Sequence, residues 1–193
     1  EVSTEVEIAK QEATPLEAEG VWVTVPDYMT EIVATLSHLA RSSPHINQRS
    51  GVSVRFTITN HEVMVANAVR RALRHGEREV APRVSDLEAL PASMMGKIEI
   101  EALEEGRDAQ IAENLVKAAV LTVFKERFTP ERFRPIVDAF EEGTVVHAGE
   151  DVPSADYAAL LDQHPGLREA VATLTEGDES AASVASAVEL VLE

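Results

Sequence analysis

The chain has 193 residues, with 34 acidic against 17 basic side chains and a formal net charge of −17, and its 45% apolar content is enough for one sizeable core or two small ones. It has no cysteine, which excludes a disulfide framework or a thiolate zinc site and makes the cytoplasm the default compartment. So acidic a total repels phosphate backbones, and outside the small group Arg70, Arg71 and Arg74 nothing invites nucleic acid.

Thr4 followed by Glu7 has the spacing of a capping box and predicts a short helix through Ala13, ended by Pro15. Gly20 to Val25 alternates like a short extended piece. Pro26 and Asp27 then open a helix with Met29, Ile32, Val33, Leu36 and Leu39 on one face. A polar interval, Arg41 to Gly51, leads to a longer helix from about Ser53 to His75, with Ile58, Val65, Val69 and Leu73 on its face and Gly76 as a left-handed cap. The β-branched residues between Val52 and Thr59 favour a strand locally, and the helical spacing beyond them decides for helix. Ser85 and Glu88 repeat the capping-box pattern, so a helix begins near Asp86, with Pro91 breaking or restarting it.

Gly106 marks a turn. Asp108 to Phe128 reads as a long helix with Ile111, Leu115, Ala118, Thr122 and Lys125 in one line and Ala119 and Val123 beside it. Its apolar run from Ala118 to Phe124 is far shorter than the roughly 20 residues that cross a bilayer, so no membrane partner is expected. Thr129 and Pro130 place an N-cap and a first-turn proline ahead of Phe133, Ile136, Val137 and Phe140, with Gly143 to finish. Thr144 to His147 suggests one short strand, and Ser154, Pro165, Gly166, Gly177 and Ser180 punctuate three small helices. The expected fold class is mainly α, with at most one minor β element and a division near Ala102 to Gly106. The chain starts at Glu1 rather than methionine and stops inside the periodic run Val184, Val188 and Val191, so we read it as a fragment.

Chemistry is sparse. No G-x-x-x-x-G-K-[ST] loop is present; the single Gly-Lys pair, Gly96 and Lys97, is followed by Ile98, so P-loop hydrolysis by this chain alone is excluded. His61 and Glu62 begin like a zinc-protease helix, but Val65 stands where the second histidine belongs. The other histidines, His38, His45, His75, His147 and His164, are spread singly, and no serine sits in a G-x-S-x-G elbow. The acidic runs Glu99 to Glu105 and Glu141 to Glu150 read as solvated faces.

What remains is an order of features: Gln48-Arg49-Ser50-Gly51-Val52-Ser53-Val54-Arg55, a helix rich in alanine and arginine, Gly76, then Val80-x-Pro82-x-Val84-x-Asp86. From about Val25 to Leu90 this resembles the helical lid of AAA+ ATPases in the magnesium-chelatase and MoxR branch. The later stretch Ala181 to Glu189 resembles bacterial proteins related to that branch. The resemblance implies a helical lid over residues 1–103 with an exit helix, and a family-specific helical extension over 104–193. It implies that Arg55 is the second sensor, reaching toward the phosphates of ATP held with magnesium in the parent protein. Where the MoxR form carries proline before this arginine, the chain has Val54. The chain's own N-terminal ATPase domain, a homo-hexamer, and a partner with a von Willebrand type A domain are implied in the same way. The function so expected is to couple ATP hydrolysis to remodelling of a client or to metal insertion. Arg70, Arg71 and Arg74 are expected on a solvated face or at a subunit contact. A second expectation, free of nucleotide, is a helical interaction module, for example in transcriptional regulation.

Overall fold

The structure, a computed structural model, describes all residues except 15, 17–19, 48, 50, 101–106 and 144. The described residues form nine α-helices, three short 3-10 turns and one two-stranded sheet, so the chain is mainly α with a minor β element. The expected division near Ala102 to Gly106 lies outside the described residues.

Helix α1 spans Val2–Glu12 and β1 spans Trp22–Val23. Helix α1 starts before Thr4, with Glu1 at its N-cap, so the Thr4 and Glu7 spacing does not act as a cap. Helix α2, Asp27–Ser42, buries Met29, Ile32, Val33 and Leu36, the stripe its spacing predicts, and follows Pro26 held in an extended conformation. Helix α3, Val54–His75, ends on Gly76 at φ 69°; the Gly76 and Glu77 amides both return to carbonyls of its last turn. Strand β2, Glu79–Val80, then pairs in parallel with β1, Trp22 facing Glu79 and Val23 facing Val80. A parallel pair needs a crossover, and α2 and α3 supply it.

A 3-10 turn at Val84–Ala89 runs into α4, Leu90–Met94, whose first turn holds Pro91 without loss of an intrahelical bond. The expected cap at Ser85 and Glu88 is displaced: the Asp86 carboxylate accepts the Arg83 amide at 2.8 Å instead. Helix α5 covers Asp108–Arg127, and a 3-10 turn at Pro130–Phe133 leads into α6, Arg134–Glu141. The described part of the predicted strand, Val145 to His147, is irregular, with Val145 exposed. A turn at Ser154–Asp156 precedes α7, Tyr157–Gln163, then α8, Pro165–Thr175, and α9, Ala181–Leu192. The Ser180 hydroxyl caps α9 by accepting the Ser183 amide.

Helices α2 and α5 make the largest helix contact, with α1 and α3 also on α2 and α8 beside α9. One hydrophobic cluster runs from Tyr28, Leu36 and Met64 through Leu90, Val123 and Phe133 to Leu167, Val188 and Leu190. It draws side chains from both sides of residues 101–106. A smaller cluster of Ala68, Val69, Ala72 and Val80 lies under the sheet. The buried face of α5 is Ala112, Val116, Ala119, Val120 and Val123, about one position round from the predicted line, of which Ala118 and Lys125 are exposed. On α3, Leu73 is exposed, whereas Phe56, Asn60, Met64 and Arg71 are buried.

Candidate functional site

Arg55 lies in the first turn of α3, is exposed, and makes no ion pair or side-chain hydrogen bond with the described residues. The turn that carries it is firmly held from behind. Arg41 of α2 donates from Nε to the Val52 carbonyl at 3.1 Å and pairs through Nη2 with Glu5 of α1 at 2.6 Å. The Glu5 carboxylate in turn accepts the Thr57 hydroxyl, which also meets Ser37 of α2 at 2.7 Å. Helices α1 and α2 thus fix the start of α3 while leaving the Arg55 side chain exposed. Gly51, at φ 68°, turns the chain just ahead of it. Ser53 occupies the N-cap without a side-chain bond to the helix. A cation in a helix's first turn is opposed by the macrodipole, so an anion arriving there would be favoured by both the guanidinium and the helix end.

The arginine group of α3 divides. Arg70 and Arg74 are at the surface, pairing with Glu150 at 3.6 and 3.2 Å, and Arg74 also with Asp151 at 2.9 Å. Arg71 is a correction to the expected surface group: it is buried and forms a two-pronged pair with Asp86, Nε to Oδ1 at 3.2 Å and Nη2 to Oδ2 at 2.8 Å. Its Nη2 also donates to the Ala81 carbonyl at 2.9 Å. Burial pushes the Asp86 carboxyl up from the ordinary aspartate range, and the hydrogen bond and charge of Arg71 pull it back.

A second buried arginine continues the network. Arg83 donates to the Val152 carbonyl at 2.8 Å and to the Ser154 hydroxyl, stacks over the Tyr157 ring at 4.7 Å, and faces Glu189 of α9 at 3.7 Å. Desolvation, then the like charge of Arg71, lowers its affinity for the proton. Glu189 accepts the Tyr157 hydroxyl and, at 2.9 Å, the Ser85 amide. Ser186, one turn earlier, accepts from Tyr28 of α2 at 2.7 Å and donates to the Pro82 carbonyl. These contacts tie α2, α3, the 84–89 turn, α7 and α9 together.

No family model matches the chain, and neither does any curated protein or solved structure.

His61 is buried, 3.4 Å from the Thr30 hydroxyl, and desolvation lowers its pKa. Among the described residues no group of three or more histidines or carboxylates stands close enough to hold a metal ion, and no helix is long and apolar enough to cross a membrane. The buried network is a structural tie between these elements, and at its edge Ser85 and Glu189 also line a groove beside the 84–89 turn. Arg83, Glu189 and Tyr157 escaped the sequence reading, since their partners lie far away in the chain; the sequence offered no signal for them beyond charged residues on apolar stripes.

Proposed function

We propose that this chain is the lid and partner-binding part of a AAA+ ATPase of the magnesium-chelatase and MoxR type. In this reading Arg55 contacts the phosphates of ATP and magnesium bound by the parent's ATPase domain, and lid position follows nucleotide state. The observation that carries the reading is an arginine, unpaired among the described residues, in the first turn of a long helix whose start is pinned by Glu5, Arg41 and Thr57. A pinned base with an exposed guanidinium suits recognition of a phosphate that comes and goes with hydrolysis. Further support is the order of features: Gly51, Arg55, the Gly76 cap and the Val80 to Asp86 step fall at successive element boundaries. A homo-hexamer, a von Willebrand type A partner, and client remodelling or metal insertion belong to the same proposal and rest on the resemblance.

The test is steady-state ATP hydrolysis by the full-length protein, wild type beside Arg55→Ala, with circular dichroism to check folding. Turnover is expected to fall about tenfold or more when the guanidinium is removed, while the 193-residue chain alone binds no ATP. Unchanged turnover in a folded Arg55→Ala protein would overturn the role and leave the nucleotide-independent interaction module as the better reading.

A further inference from the structure

A groove of about 550 Å³ opens between the 84–91 turn, α5, α9 and the loop at Ala148 and Gly149. That size falls within the roughly 300–1,000 Å³ of ligand-sized clefts. Its floor is apolar: Val84, Leu87 and Pro91 on one wall, Val116 and Val120 of α5 on the other. Its rim is acidic. Glu88, Glu113 and Glu193 are exposed around it and make no ion pair with the described residues, against the single cation Lys117. The Ser85 hydroxyl on the first wall has no hydrogen-bond partner among the described residues.

We propose that this groove docks a basic peptide segment of a partner protein, one that seats apolar side chains on the Val84, Leu87, Val116 and Val120 floor and sets lysines or arginines against Glu88, Glu113 and Glu193. Charge complementarity selects the occupant. Carboxylates around an apolar floor repel acidic segments and attract basic ones, while burial of the anchors supplies affinity that charge alone does not. A second copy of this chain is a poor occupant. Its own basic and aromatic stretch, Lys125 to Arg134, keeps Phe128 and Phe133 buried against Phe124 at ring distances of 5.3–5.4 Å. The proposal stands apart from the nucleotide reading, because none of the groove's lining residues belongs to the turn that carries Arg55.

The experiment is fluorescence anisotropy of the 193-residue chain with three labelled twelve-residue probes: a leucine–lysine amphipathic helix, its leucine–glutamate counterpart, and a serine–lysine peptide of equal charge. The leucine–lysine probe is expected to bind and the other two to bind at least about tenfold more weakly. The double change Glu88→Lys with Glu113→Lys, both at exposed positions, should weaken the leucine–lysine probe about tenfold, whereas Glu12→Lys with Glu179→Lys, equal in charge but remote, should weaken it less than about twofold. Equal loss in the two double variants would mean diffuse attraction to an acidic protein and overturn the site. Equal binding of the serine–lysine probe would overturn the apolar floor, and no binding of the leucine–lysine probe would overturn the proposal. Concentration-dependent self-association that the leucine–lysine probe reverses would assign the groove to a second copy instead.

Discussion

Arg71 and Asp86 are both almost wholly removed from solvent, at 1% and 0% exposure, so each charge depends on the other for what water would have given it. The Asp86 carboxylate also caps the Arg83 amide, and Arg71 holds the Ala81 carbonyl, so the pair fixes the path of the chain from β2 into the 84–89 turn. Removing only the cation leaves a buried carboxylate without its main partner. Arg71→Met is therefore expected to cost about 3–5 kcal/mol, read from urea unfolding followed by circular dichroism. Arg71→Met with Asp86→Leu should be less destabilised than Arg71→Met alone, since the fully buried carboxylate goes with the cation, and Glu77, 3.6 Å from Arg71, is 14% exposed to water. A loss below about 1 kcal/mol, the scale of an exposed pair, would show that water reaches Asp86 and that the pair is not closed.

Helix α3 shows at the scale of an element what its sequence discloses and what it withholds. Its end was legible, because Gly76 follows the last periodic residue and a left-handed cap strongly favours glycine there. Gly76→Ala keeps every contact of the helix, as open space surrounds the position where a Cβ would stand, and forces a side chain into the left-handed region. The expected cost is about 1–2 kcal/mol, seen as a lower urea midpoint with an unchanged slope. No change in midpoint would mean that the last turn has rearranged. Which face α3 buries was less legible. Arg70, Arg71 and Arg74 look alike in the sequence, and only Arg71 continues the stripe of Phe56, Asn60 and Met64. Helix α5 misled for a related reason: Ala118, Leu121, Ala119 and Val120 make it apolar over more than one face, so spacing alone does not choose, and the side that α2 covers decides. The order of features placed Arg55 at the opening of a long helix, and it lies in the first turn of α3. The groove was not legible, since its walls come from segments more than 20 residues apart that only packing brings together.

For the whole molecule, the question is whether residues before and after 101–106 hold together as one cooperative unit. Their hydrophobic cluster is continuous, and the polar contacts repeat the connection: Tyr28 to Ser186, Arg83 to Glu189 and Ser154, Glu31 to Arg127. At a net charge of −17, self-repulsion opposes compaction, and these joins act against it. If the halves share one core, damage in α2 must be felt in α5 and α9. Leu36→Ala removes a side chain that is 0% exposed and should cost about 2–5 kcal/mol through lost burial and the cavity left behind. In hydrogen exchange followed by mass spectrometry, the most protected amides of α2, α3, α5 and α9 should then lose protection by the same factor, because all would open through one global transition. Loss confined to α1 through α4, with α5 and α9 still at wild-type protection, would divide the chain into two independently stable halves. The groove between the 84–91 turn, α5 and α9 would then be a site whose shape depends on how those halves meet, and peptide binding there would fall with the same substitution.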